Sequence, residues 1–250
     1  MKEDRVTPLT QRSRKNCQGF SLLEMMIAVA LLALLMWVVL SQVSTAQERT
    51  RTEQVKVDIF QESREFADQL VRDLHQAGYP NIRMFQTSGW SPTLSSPSYN
   101  DSRLATGITK IAPGEVTFEG DVDGDGYVHV VDYVLRSTGN NCPCLERSDV
   151  LKSSGTTVLS NDVQNVENAG TAADPIFIAY TAAGTAVTSE DMTTSAGQNA
   201  LATIKTVQFI LKVKAAIEDP QTGQAPETTL SGQVAIRNCS LAAAGQTNSC

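Results

Sequence analysis

The chain has 250 residues, of which 41% are hydrophobic, 19% charged and 6% aromatic, and its formal net charge is −7. That length and apolar content suit one large or two small domains with a real core and exclude a chain that is disordered throughout. The acidic balance excludes broad phosphate binding, so no nucleic-acid partner is expected, and few aromatics beside abundant Ser, Thr, Ala and Gly favour β structure with polar loops over a helical bundle.

Residues 1–19 form a basic lead, with Lys2, Arg5, Arg12, Arg14 and Lys15 against Glu3 and Asp4. Residues 20–40, "FSLLEMMIAVALLALLMWVVL", then contain only Ser21 and Glu24 as polar residues. As a helix this stretch spans roughly 30 Å, the hydrocarbon thickness of a bilayer. Basic residues are denser before it than just after it, which predicts a cytoplasmic N-terminus. A secretory signal cut after Ser44-Thr45-Ala46 is one reading, but its apolar run would be long and Glu24 would have no purpose in it. A lipoprotein anchor is excluded because the apolar run follows Cys17. The third reading is a cut between Gly19 and Phe20 with the helix retained. A carboxylate inside a span costs on the order of 3 kcal/mol and needs a partner. That cut gives Phe20 a charged amine about one helical turn from Glu24, on its own chain or on a packed neighbour, and the pairing is strong in low dielectric.

From Ser41 to about Ala77 the chain turns polar but lacks Pro and Gly. Ile59, Phe66, Leu70 and Leu74 recur at helical spacing, so this half predicts an amphipathic helix laid on a globular head, ended by "AGYP". The expected helix covers roughly 21–77. Residues 86–103 read as loop. Strands are expected at 115–119, 127–136, 175–180, 203–214 and 229–237, several with apolar–polar alternation, separated by Gly/Ser/Thr/Ala-rich loops, notably 181–200. The expected fold is α+β: a long N-terminal helix on an antiparallel sheet head. The expected organisation is a lead over 1–19, a transmembrane half-helix over 20–40, an amphipathic half over 41–78 and a β-rich head over 79–250.

Residues 121–132, "DVDGDGYVHVVD", place Asp121, Asp123 and Asp125 at positions 1, 3 and 5 of a calcium loop. Gly126 falls at position 6, the Tyr127 carbonyl at 7 and Asp132 at 12. Two features depart from an EF-hand: the shorter Asp at position 12, and flanks that read as strands. The competing reading is an Asp/Gly-rich hairpin turn joining "EVTFE" to "YVHVVDYVL". Calcium is therefore a structural-cofactor candidate, and no other cofactor is indicated.

Four cysteines follow the apolar run, compatible with two disulfides in an oxidising compartment. A bond between Cys239 and Cys250 would staple the polar C-terminal tail. Cys142 and Cys144 in "NNCPCLER" could bond directly across Pro143 or to the tail pair, and all the connectivities that four cysteines allow stay open. "CPC" lacks the two-residue gap of common zinc sites. His75 and His129 read as surface or packing residues. No nucleophile elbow, P-loop or paired metal motif occurs, so the chain is not expected to be an enzyme.

The stretch "GFSLLEMMIAVALLALL" resembles the N-terminus of type IV prepilins, the class III signal. The resemblance implies a prepilin peptidase cutting between Gly19 and Phe20, N-methylation of Phe20, and Glu24 recruiting the subunit to a neighbour during filament assembly. The implied partners are other major and minor pilins, the peptidase and an inner-membrane assembly platform. The implied location is the bacterial inner membrane and then the filament. "SREFADQLVRDLHQAGYPN" and the late "VAIRN" also resemble PilW-like minor pilins and the related J-type minor pseudopilins of type II secretion, and many pilins carry a C-terminal disulfide loop. The resemblance implies a minor pilin serving motility, adhesion or DNA uptake, a tip pseudopilin of type II secretion, or an adhesin-like head on a pilin stem. Mass spectrometry of the mature native protein is expected to find a methylated N-terminus at Phe20; a chain beginning at Gln47 would instead mark a discarded signal peptide.

Overall fold

The computed structural model describes residues 21–81, 84, 98–139, 142–156, 158–219 and 222–238. Helix α1 runs over Leu22–Gln76, 55 residues, within one residue of the expected ends. The chain divides into two compact units between Arg49 and Thr50.

In the first unit, residues 22–43 are exposed on every side of the helix. Apolar side chains dominate there: Leu22 is 78% exposed and Trp37 72%. Where the sequence turns polar, the helix satisfies its own hydroxyls: Ser41 Oγ donates to the Val38 carbonyl at 2.8 Å and Thr45 Oγ1 to the Ser41 carbonyl at 3.0 Å. Such back-bonding keeps a hydroxyl paired without any external partner.

In the second unit, α1 buries Ile59, Ser63, Phe66, Ala67, Leu70, Asp73 and Leu74, which recur three and four residues apart and so line one face. The compact β-rich unit begins at Thr50 and contains the later part of α1 as a core element. The helix ends where Gly78, at φ 80°, reverses the chain and donates its N–H to the Glu119 carbonyl at 2.8 Å. Asn238 caps this end, its amide nitrogen donating to the carbonyls of His75 at 3.0 Å and Ala77 at 3.1 Å.

The sheets are antiparallel. One has six strands in the order β5-β4-β3-β2-β1-β8, the other four in the order β10-β9-β6-β7. The strands are β1 Ile108–Ala112, β2 Glu115–Gly120, β3 His129–Arg136, β4 Cys144–Leu151, β5 Leu159–Gln164, β6 Phe177–Thr181, β7 Ala186–Val187, β8 Glu190–Asp191, β9 Ile204–Lys214 and β10 Glu227–Ala235. Helix α2, Ser195–Ala202, precedes β9; Thr194 caps it by accepting the Gly197 N–H. Each expected strand is present with ends shifted by a few residues. The segment 181–200, expected as loop, holds β7, β8 and most of α2.

Alternation sets the faces. Along β9 the buried residues are Ile204, Val207, Phe209, Leu211 and Val213, with less buried residues between. Phe66 of α1 meets Tyr133 of β3 edge-to-face with ring centroids 5.6 Å apart, and Phe118 of β2 stacks on Tyr133 at 6.4 Å. β2 approaches the helix end so closely that a Cβ on Gly120 would lie 2.5 Å from the Gln76 carbonyl oxygen, so only glycine fits there.

A charged cluster joins helix to sheet. Asp73, 1% exposed, accepts from Tyr133 Oη at 2.8 Å and Arg147 Nε at 2.9 Å on one carboxylate oxygen, and from Gln69 Nε2 at 2.6 Å on the other. Arg147 Nη2 lies 2.8 Å from the same carboxylate. Burial beside this anion pushes the Tyr133 hydroxyl up from its ordinary value. Burial alone would lower Arg147, but Asp73 and Tyr133 together more than offset that and hold the guanidinium above its ordinary value. Arg147→Ala leaves a buried carboxylate without its cation and is expected to cost about 3–5 kcal/mol. Tyr133→Phe removes one hydrogen bond and is expected to cost about 1 kcal/mol. Denaturant melts of the two variants check this order.

Candidate functional site

Glu24 stands in the first turn of α1. Its carboxylate is exposed and lies at the helix end where backbone N–H groups lack intrahelical acceptors, a position that favours negative charge. The helix has already formed there, since the Met25 N–H donates to the Ser21 carbonyl at 3.1 Å. Gly19 and Phe20 lie outside the described residues. Beyond Glu24 the exposed surface is apolar all round, and α1 is long and apolar enough to cross a membrane. Chemically this segment offers one anion at the head of a greasy cylinder: it can bury itself in lipid or among like helices, and it can pair its anion with a cation presented at the same depth.

The acidic loop is the hairpin connection between β2 and β3, and Asp121 builds it. One carboxylate oxygen of Asp121 accepts the Gly124 N–H at 2.8 Å and the other the Gly126 N–H at 3.1 Å. Gly124 and Gly126 have φ 76° and 87°, a region open to glycine at no steric cost. Asp123 Oδ1 then accepts the Asp125 N–H at 3.2 Å and Asp125 Oδ1 the Tyr127 N–H at 2.8 Å, successive Asx turns that set the two side chains next to each other. Their carboxylates converge on His129, the first residue of β3, with His129 Nε2 3.7 Å from Asp123 Oδ2 and 3.8 Å from Asp125 Oδ1. Burial, which would raise the Asp123 carboxyl, is outweighed by the Asp125 N–H and the nearby His129, which hold it below the usual range. The other ring nitrogen, Nδ1, lies 2.7 Å from Asp149 Oδ1 on β4, and Arg147 Nη2 holds the second oxygen of Asp149 at 3.0 Å.

The two sequence expectations for this loop thus separate. Asp121, Asp123, Asp125 and Tyr127 are together in one turn, but Tyr127 contributes its N–H to the turn and Asp132 is not brought to it. Asp132 sits within β3, paired with Thr117 and Ser148, and accepts from Thr117 Oγ1 at 2.9 Å. Strand alternation turns it to the face opposite His129. The flanks are strands, as the hairpin reading requires. His129 and Asp149 are the residues the sequence reading passed over. The D-x-D-x-x-x-H spacing from Asp123 was visible; Asp149 became a neighbour only through the β3/β4 register.

Residues 14–40 match the family model described as the prokaryotic N-terminal methylation motif. The N-terminus is of the type IV prepilin kind. No curated protein matches the chain in sequence. With the long apolar helix and the antiparallel sheets behind it, the chain fits a type IV pilin-like protein with an α+β pilin-like architecture. Pilin-like proteins are structural rather than catalytic. The motif implies association with the pilus and prepilin-processing machinery in general, and it accords with membrane anchoring through α1.

Cys142 and Cys144 are joined as a disulfide, one of the pairings left open by the sequence. Cys239 and Cys250, expected as a pair, lie outside the described residues, as does Cys17 in the lead. Asp132 supplies a test of the loop's boundaries. Burial is the largest influence on its carboxyl and pushes it up, against the Thr117 hydrogen bond. A raised folded-state value means the folded chain binds the proton more tightly than the unfolded one, so this group's contribution to stability grows as pH falls and is lost as pH rises through the folded value. Asp132→Asn keeps the acceptor for Thr117 and removes the buried charge. It is expected to leave the Tm at neutral pH unchanged or slightly raised and to flatten its pH dependence above the ordinary carboxylate range; a large drop in Tm would show that the carboxylate has a further partner.

Proposed function

We propose that the chain is a minor pilin or pseudopilin, made as an inner-membrane prepilin and built into a filament. Residues 1–19 are the lead removed by prepilin peptidase between Gly19 and Phe20, and Phe20 is then methylated. Residues 20–40 are the transmembrane and assembly half of the helix, residues 41–78 its amphipathic half and residues 79–250 the strand-bearing periplasmic part. The observation that carries this reading is Glu24, a lone carboxylate at the start of a helix whose next two turns and more are apolar on every side. In hydrocarbon that charge is expensive, and the amine that processing creates at Phe20 is a partner at matching depth. Assembly then exchanges lipid for neighbouring helices, and the cost of a misplaced carboxylate sets their register.

The minor rather than major role is supported by the PilW-like run ending in "AGYPN" and by the β-rich part, which extends the compact unit from Thr50 to the C-terminus. The same run resembles J-type pseudopilins, which favours the tip of a type II secretion filament as the second reading. The PilW-like pattern ranks the pilus first, and gene neighbourhood separates the two.

Glu24→Ala is expected to leave processing largely intact while incorporation into sheared filaments falls at least about tenfold, the loss of a charge pair in low dielectric. Immunoblots of sheared and cell fractions read both steps. Normal incorporation of the variant would remove the assembly role from Glu24.

A further inference from the structure

We propose that the β2–β3 hairpin binds a divalent first-row transition-metal ion, with zinc as its representative, through Asp123 Oδ2, Asp125 Oδ1 and His129 Nε2. The inference does not rest on the filament reading; it concerns the β-rich unit alone.

Three observations carry it. The three donor atoms lie within 4.8 Å of one another, as ligands of one ion must. With metal–ligand bonds of about 2.0–2.2 Å, donors around a tetrahedral ion stand about 3.4 Å apart, so the observed 3.7 and 3.8 Å need close by only a few tenths of an ångström. The second observation concerns the ring itself. His129 Nε2 is buried and has no hydrogen-bond partner, although it points between two carboxylates. A ring nitrogen at 3.7 Å is beyond hydrogen-bond reach whether or not it carries a proton. A neutral ring would present its lone pair to two anions, and a cation between them removes both the repulsion and the unmet acceptor capacity. The third observation is the brace behind the ring. Asp149 accepts from Nδ1 at 2.7 Å and thereby directs the Nε2 lone pair into the loop, while Arg147 fixes Asp149 in turn. A carboxylate behind a histidine is the usual outer support of a metal-bound imidazole.

The donor set also selects the ion. An imidazole with two carboxylates suits borderline ions such as zinc, whereas calcium takes six or more oxygens and gains little from a nitrogen. The calcium-loop reading would need Asp132, which belongs to the other sheet face and accepts from Thr117 there. With three donors among the described residues, the remaining positions of the ion would be filled by water or by a further residue. Asp123 and Asp125 are half exposed, so the site is open to such a ligand.

The test uses the untagged full chain in detergent, stripped with chelator and then supplied with zinc or calcium chloride. Zinc is expected to be retained at one equivalent dependent on His129 and to raise the Tm, with calcium giving no comparable rise. Cobalt in place of zinc is expected to give the visible absorption of a nitrogen- and oxygen-bound tetrahedral ion. His129→Gln is expected to weaken zinc binding by more than about tenfold, and Asp149→Asn, which alters only the brace, by about tenfold. Should His129→Gln fail to fold, Asp125→Asn removes a ligand from an exposed position and is read the same way. Zinc retention unchanged in these variants, no zinc retained, or a calcium-driven rise in Tm that survives His129→Gln would each overturn the proposal.

Discussion

The Asp73 carboxylate is carried by a helix into a sheet and is almost wholly shielded from water there. An isolated charge in that setting would be prohibitive, so the fold must deliver Arg147, Tyr133 and Gln69 to it together. Those partners come from β4, β3 and the helix's preceding turn, and each requirement constrains the rest. A one-residue slip of β4 against β3 would turn Arg147 to the far face. A rotation of α1 by one position would move Asp73 off the sheet, and the apolar stripe of Phe66, Leu70 and Leu74 with it. The apolar contacts supply most of the driving force, but they tolerate small displacements; the charge cluster does not. It restricts the helix and the six-stranded sheet to one mutual arrangement.

The cluster does not end at Arg147. The guanidinium also holds Asp149, Asp149 holds His129, and His129 faces Asp123 and Asp125 across the hairpin. Carboxylates alternate with the Arg147 guanidinium and the His129 ring from the core helix out to the surface of the β2–β3 turn. The loop's geometry is thus anchored twice, locally by Asp121 and its two glycines and remotely by the helix through the sheet. A hairpin tip of ordinary construction has only the first kind of anchor.

How much of this was legible beforehand follows from what each element buries. α1 was readable almost to the residue because its first part is uniformly apolar and its later part keeps a helical period, with Gly78 and Pro80 to stop it. β2, β3, β6, β9 and β10 were readable because β-branched and aromatic residues recur along them. β4 was not, and the reason is the charge cluster itself. The face it turns to the helix holds Leu145 and Arg147, with the exposed Asp149 beyond them, so the strand shows no apolar alternation until one knows that Asp73 awaits the arginine. β5, "LSNDVQ", is mostly polar in sequence, with Val163 buried, and α2 is too short for periodicity to reveal. The prepilin-like N-terminus was legible because its pattern is local: the family motif it matches lies wholly within residues 14–40. The grouping of His129 with Asp149 was hidden because it depends on the register of two strands, a long-range property that no local pattern encodes.

Asn238 spends its side-chain amide on two carbonyls at the end of the core helix, where the backbone dipole is negative. Spontaneous deamidation would convert this donor into a carboxylate facing the same two oxygens, replacing attraction with repulsion at the negative pole of the helix. The junction of helix, hairpin base and β10 is therefore a place where slow chemical ageing would be felt as loosening at the end of the core helix, without any change in the chain's length or its fold-forming apolar residues.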